Sequence, residues 1–219
     1  IKLCDRLHKM LTLDALSSEK QKRIAEETIV VYAPIAHRLG ISRLKNHLED
    51  LSFQYIYPED YKAIDTYIRS NAQNLKFKLN AFIQNVKDIM DKDGFKEDDF
   101  EIIGRVKHYY SIYLKMHRKG VSIDEVLDLL AIRIIVKKPI DCYRVLGLMH
   151  LKFTPLISRF KDYIAVPKEN GYKTIHTTLF DEEGIVEAQI RTVEMHRLAE
   201  YGVAAHWKYK GGDNSVNLA

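Results

Sequence analysis

The stretch Arg159-Phe160-Lys161-Asp162-Tyr163-Ile164-Ala165-Val166-Pro167-Lys168-Glu169-Asn170-Gly171-Tyr172-Lys173-Thr174-Ile175-His176-Thr177, followed after a short turn by Val186-Glu187-Ala188-Gln189-Ile190-Arg191-Thr192, decides how this chain is read. Its second part alternates, so that on a strand Val186, Ala188 and Ile190 face a core while Glu187, Gln189 and Arg191 share the other face. An antiparallel strand with one wet face shows the same alternation, and Glu187 taken alone reads as a solvated residue. The preceding segment changes that reading. Asn170-Gly171 is a turn signal that lets backbone approach a ligand, and Tyr172 and His176 are expected on one face of the strand that follows. With Arg159, Lys161 and Lys168 close by in sequence, the combination suits an anionic ligand carrying a flat ring.

Outward from this stretch the chain is mixed towards its middle and helical towards its start. The patterns predict a helix from His108 to Lys119, a buried strand from Leu129 to Val136 and a helix from Ile140 to Phe153. Tyr109, Ile112, Tyr113 and Met116 form the apolar stripe of the first helix, with Ser111, Lys115 and Arg118 on a different face. Between Arg105 and Lys119 there are five Lys or Arg residues and no acid, a run that by itself is also what a solvated basic face looks like. Further upstream, apolar spacing predicts helices ending at Gly40, from Ser42 to Tyr55, from Pro58 to Ile68 and from Phe77 to Met90. Asp91 to Asp99 reads as a charged turn, and 211–219 as a frayed tail.

Composition narrows the classes. With 34 Lys and Arg against 30 Asp and Glu, the net charge of +4 leans towards anionic partners, nucleotides or RNA. Cys4 and Cys142 are too few and too far apart for a disulfide framework or zinc site, which points to the reducing cytoplasm. No apolar run reaches membrane-spanning length, so no membrane partner is expected. There is no Gly-x-x-x-x-Gly-Lys-Ser/Thr loop, so any use of ATP must rest on side-chain cations and a metal.

The run from Arg159 to Thr177, Glu187 to Thr192, and Ala199-Glu200 through Gly202-Val203-Ala204-Ala205-His206-Trp207 with Tyr209-Lys210 resembles the synthetase domain of RelA/SpoT-type stringent-response enzymes. Gly104 to Tyr113 and Asp128 to Arg133 extend the resemblance upstream. It implies an α+β chain with a helical segment at 1–70, the remnant of an HD-type hydrolase domain and linker. A nucleotidyltransferase-like domain with a mixed sheet flanked by helices then follows at 71–210. The implied reaction is transfer of pyrophosphate from ATP to the 3′-hydroxyl of GDP or GTP, with Mg²⁺ as cofactor.

Roles follow from the same resemblance. Asp128 corresponds to the Mg²⁺-binding aspartate, and Glu187 to the group that activates the 3′-hydroxyl and also touches the metal. Arg105, Lys107, Ser111, Lys115 and Arg133 match the ATP site, with Arg105 and Arg133 sandwiching adenine. Tyr172, Lys168, Asn170, His176, Gln189, Arg159 and Lys161 match the GDP/GTP site, with Tyr172 on guanine. A guanidinium stacks on a base and an ammonium neutralises phosphate, so the residue types suit these roles. Asp128 and Arg133 have opposite parity on an ideal strand, which puts Asp128 in the turn before it.

At the other end, Lys2 to Leu13 resembles the last metal-ligand motif of the hydrolase domain, with Asp5 matching a Mn²⁺ ligand. The remaining ligands of that site are not in this sequence, so Mn²⁺ chemistry is expected only in an intact hydrolase domain. By its neighbours alone Asp5 reads as a helix-surface partner of Arg6 or Lys9. The resemblance leaves ribosome or tRNA contact to regions outside this chain and leaves oligomer formation open. Two other readings stand beside the synthetase. They are a hydrolase fragment with a silent synthetase half and a non-catalytic guanine-nucleotide or RNA-binding module.

Overall fold

The computed structural model describes residues 1–202, which form two compact units. Val203 to Lys210 of the resemblance, including His206, and the expected tail at 211–219 lie outside the described residues.

Among the described residues, one unit is helical and contains residues 1–56, 169–172 and 194–202. Helix α1 (Lys2–Leu11) is followed by α2 (Ser18–Glu27), which continues through one π-helical turn, Thr28–Tyr32, into α3 (Ala33–Arg38). Pro34 accounts for the wide turn. Its ring has no N–H to give the carbonyl of Val30 and crowds it, and the backbone loosens there without breaking. Gly40 closes α3 at φ +72°, with Ile41 N–H donating to Ala36 O and Gly40 N–H to His37 O, both at 3.0 Å. Helix α4 (Ser42–Ile56) completes a core of Met10, Leu13, Ile24, Ala25, Ala33, Ala36 and Leu48. Arg6 is drawn into that core: its guanidinium lies 4.0 Å from the Tyr32 ring centroid and 3.2 Å from Glu27. Arg6 therefore does not pair with Asp5, which stays exposed on α1.

The second unit, 57–168 with 173–193, holds the sheet. Helix α5 (Pro58–Ser70) clusters with it, so the compact units part between residues 56 and 57, whereas the sequence reading drew a boundary at 70. Helix α6 (Ala72–Lys92) leads to β1 (Phe100–Val106), α7 (Tyr109–Lys119), β2 (Leu130–Val136) and α8 (Pro139–Lys152). Two short strands, β3 (Thr154–Pro155) and β4 (Lys161–Asp162), precede β5 (Ile175–Asp181) and β6 (Gly184–Thr192). Helix α9 (Val193–Tyr201) follows.

The strand order is β1-β2-β6-β5-β3, with β4 also on β5. Strands β2 and β6 run parallel and every other pair is antiparallel, giving the mixed sheet the sequence implied. Helices α6 and α8 pack on the face that carries Gly104, Ile132, Ala188 and Thr177. Gly104 has to be small: a Cβ there would sit 2.8 Å from side-chain atoms of Leu79 and Ile83 of α6. Because side chains alternate, Arg105, Arg133, Glu187, Gln189, Thr178 and His176 are delivered to the opposite face.

One expectation about this region is overturned. Strand β5 begins at Ile175, so Tyr172 is not on a strand face with His176. Asn170 instead donates through Nδ2 to His37 O at 2.8 Å and accepts the Tyr172 N–H at 3.1 Å, while Gly171 takes φ +81°. The side chain uses both ends to close a turn, and that turn belongs to the helical unit.

Candidate active site

Register builds the site in rows across the open face. One row reads Arg105, Ala131, Glu187, Thr178, and the next reads Ile103, Arg133, Gln189, His176, Lys161. Arg133 donates to Gln189 Oε1 from Nε and Nη2, each at 3.2 Å, which ties β2 to β6 on this face. The ladder continues one rung beyond the strands, where Lys107 N–H donates to Leu129 O at 2.8 Å. That rung carries Lys107 and the segment holding Asp128 side by side. Asp128 thus sits just before β2 in an irregular segment, off the strand as its parity with Arg133 implied, but not in a turn.

Asp128 is 3% exposed and is surrounded by cations. Its Oδ2 lies 3.2 Å from Lys107 Nζ and 2.9 Å from Arg159 Nη1, and it also bonds Lys115 Nζ of α7. Lys107 Nζ in turn lies 2.6 Å from Glu187 Oε2, so a single ammonium touches both acids. Helix α7 is fixed against α5 by Tyr113 stacked on Tyr57 at 5.0 Å and by Tyr109 donating to Asp65 at 2.8 Å. Those contacts hold the turn of α7 that aims Lys115.

The cluster sets protonation states. Burial works against the Glu187 anion, but the Lys107 charge and hydrogen bond, with His176 and Lys115, outweigh it and hold the carboxyl below its usual range. Burial, helped by the charges of Lys107 and Arg159, pushes Lys115 down to about 7. His176 is pushed down to about 4, chiefly by burial, and is a neutral ring at neutral pH. An ionised acid beside it, a neutral imidazole and a lysine that gains charge when an anion arrives are fit for binding polyphosphate and for taking a proton.

The remaining residues singled out in the sequence fall at different distances from this cluster. Lys168 Nζ stands 4.8 Å from the Tyr163 ring centroid, and that ring meets His176 edge-on at 5.6 Å. Tyr163 had no signal of its own in the sequence and enters only through these contacts. Arg159, matched to the acceptor nucleotide, bonds Asp128. Ser111 Oγ lies 3.0 Å from the His108 ring at the start of α7. Tyr172 and Asn170 belong to the other unit.

The donor set fits Mg²⁺. Asp128 and Glu187 offer only oxygen, and Mg²⁺ takes one or two carboxylates together with waters and substrate phosphates. Among the described residues no group of three or more His, Cys, Asp or Glu could hold a metal ion. Among the described residues, no helix is long and apolar enough to cross a membrane.

Known proteins resemble this chain over nearly its whole length. The family model described as "Region found in RelA / SpoT proteins" matches residues 104–214, and an HD domain model matches residues 1–42. A guanosine-3′,5′-bis(diphosphate) 3′-pyrophosphohydrolase of Aquifex aeolicus is 46% identical over 98% of this chain and 31% of its own length. A GTP pyrophosphokinase of Myxococcus xanthus is 45% identical over 97% of this chain and 28% of its own. The bifunctional (p)ppGpp synthase/hydrolase SpoT of Escherichia coli is 44% identical over 96% of this chain and 30% of its own. The chain therefore spans about three tenths of the length of these relatives. The crystal structure of small alarmone synthetase 1 from Bacillus subtilis aligns at a TM-score of 0.49 and 26% identity, covering 68% of this chain and 82% of that one.

Proposed function

The chain belongs to the RelA/SpoT family, and we propose that it transfers pyrophosphate from ATP to the 3′-hydroxyl of GDP or GTP, forming (p)ppGpp and AMP. The observation that carries this reading is the pair of acids, Asp128 and Glu187, bridged by Lys107 on an open sheet face. A module that only bound polyanions would be weakened by two carboxylates among its cations; a phosphotransfer centre needs them.

In this reading Glu187 accepts the proton of the attacking 3′-hydroxyl as the new bond to the β-phosphorus of ATP forms and the bond to the AMP oxygen breaks. Lys107 and Lys115 leave the acids for the phosphates. Asp128 and Glu187 would hold Mg²⁺, which when bound would supply neutralisation of the phosphate charge. Arg105 and Arg133 stand on one face of neighbouring strands as a diagonal pair. Such pairs lie about 7–8 Å apart, the span of one ring stacked between two planar groups. Neutral His176 and Lys168 serve the acceptor's phosphates, and a role for Tyr172 on its base is carried by the family resemblance alone.

The test is incubation with labelled ATP, GDP and Mg²⁺, with AMP and a guanosine tetraphosphate as expected products. No product would sink the reading. With Mn²⁺ and the alarmone, no pyrophosphate release above a metal-only control is expected, because Asp5 alone cannot fix a metal-bound hydroxide. Assignment of the two nucleotides is checked by calorimetry. Tyr172→Ala should weaken guanine nucleotide by about 1–3 kcal/mol and spare ATP, while Arg105→Ala does the reverse. Loss of the same nucleotide in both variants would overturn the assignment.

A further inference from the structure

The segment from Arg159 to Lys168 is gripped from behind by α8. Tyr143 and His150 are seven residues apart, so they share one stripe of that helix. His150 Nε2 lies 2.7 Å from Thr177 Oγ1, and its ring meets Phe160 edge-on at 5.7 Å. Tyr143 donates its hydroxyl to Asp162 Oδ2 at 2.8 Å. The other oxygen, Oδ1, accepts the N–H groups of Ile164 at 3.0 Å and Ala165 at 2.9 Å. Asp162 O also accepts from Val166 N–H at 3.3 Å, so a single aspartate folds the turn that carries the chain to Lys168.

Register separates the two members of β4. Lys161 stands opposite His176 on the open face, whereas Asp162 stands opposite Ile175 on the face covered by α8. Asp162 therefore cannot reach a ligand held on the open face. Its effect on such a ligand must pass through the turn, which presents the Tyr163 ring to His176 and Lys168 to that ring.

We propose that Asp162, anchored by Tyr143, is a positioning residue for the acceptor nucleotide, fixing Tyr163, His176 and Lys168 as one stacked unit. The assignment rests on the acceptor role given above to His176 and Lys168. It separates Asp162 from Arg159, which bonds Asp128 directly.

The experiment has two arms. In the ligand-free protein, amide hydrogen exchange at Ile164 and Ala165 should be slow in the unsubstituted chain, fast in Asp162→Ala and slow again in Asp162→Asn, whose amide oxygen still accepts both N–H groups. In steady-state assays Asp162→Ala should raise KM for GDP about tenfold or more while KM for ATP and kcat change less than about twofold, and Asp162→Asn should restore it. Tyr143→Phe, which keeps the ring, should give a smaller rise of the same sign, and it carries the kinetic arm if the alanine variant does not fold. Unchanged exchange in Asp162→Ala would overturn the turn-forming role. Equal loss of both nucleotides, or an unchanged KM for GDP beside fast exchange, would overturn the acceptor assignment. Absence of product from the unsubstituted chain would instead sink the proposed reaction, with the exchange arm still deciding whether Asp162 holds the turn.

Discussion

Glu187→Gln is expected to lower transfer by about 10²–10⁴-fold while both nucleotides still bind. Glutamine keeps the size and one acceptor oxygen, so β6 and its neighbours should be undisturbed, but the group can no longer take a proton. It also breaks the ion pair to Lys107, which lies 2.6 Å away. Single-turnover measurement with saturating nucleotides separates the chemical step from binding, and a rate near that of the unsubstituted chain would remove Glu187 from the role of base.

Lys107→Met should cost about 10²–10³-fold, the usual worth of a charge aimed at developing negative charge in a dry site. It has a second, more specific consequence. Lys107 is the strongest influence holding the Glu187 carboxyl down against its burial. Without it the folded-state value rises, Glu187 is protonated at higher pH, and the acid limb of the kcat/KM profile should move up in pH. An acid limb that stays in place would mean that Glu187 is not the titrating base.

The alternation from Val186 to Arg191 was legible because a strand with one helix-covered face must alternate, and the register puts Glu187, Gln189 and Arg191 on the face away from α6 and α8, with Gln189 and Arg191 buried there and not wet. That Asp128 lies before β2 and not on it was legible from parity, although the segment that holds it is not a turn. Helix edges shifted by a residue or a few: the helix expected from Phe77 begins at Ala72, with Leu75 of its first turn already buried on the same stripe as Phe82 and Val86. What periodicity could not reveal was contact across long separations. Arg159 on Asp128 and Tyr163 on His176 depend on how β4 and the turn before it lie against β5, and β4 is only two residues long. The turn at Asn170 was found, but nothing in its residues told that its amide would be used by His37 O and not by a ligand.

The parallel pairing of β2 with β6 has a consequence for how the protein comes into being. Arg133 and Gln189, bonded across that pair, are 56 positions apart in the sequence, and the pair is the centre of the sheet. A chain emerging during synthesis can form α6, β1, α7 and β2 from near neighbours, but its central strand arrives late. Until then Asp128 has its cations without Glu187, and the open edge of β2 waits unpaired. Until residue 187 has been made, no growing chain contains both acids. The same order leaves the unfinished sheet dependent on timely completion, with an apolar edge strand as the hazard if β6 is delayed.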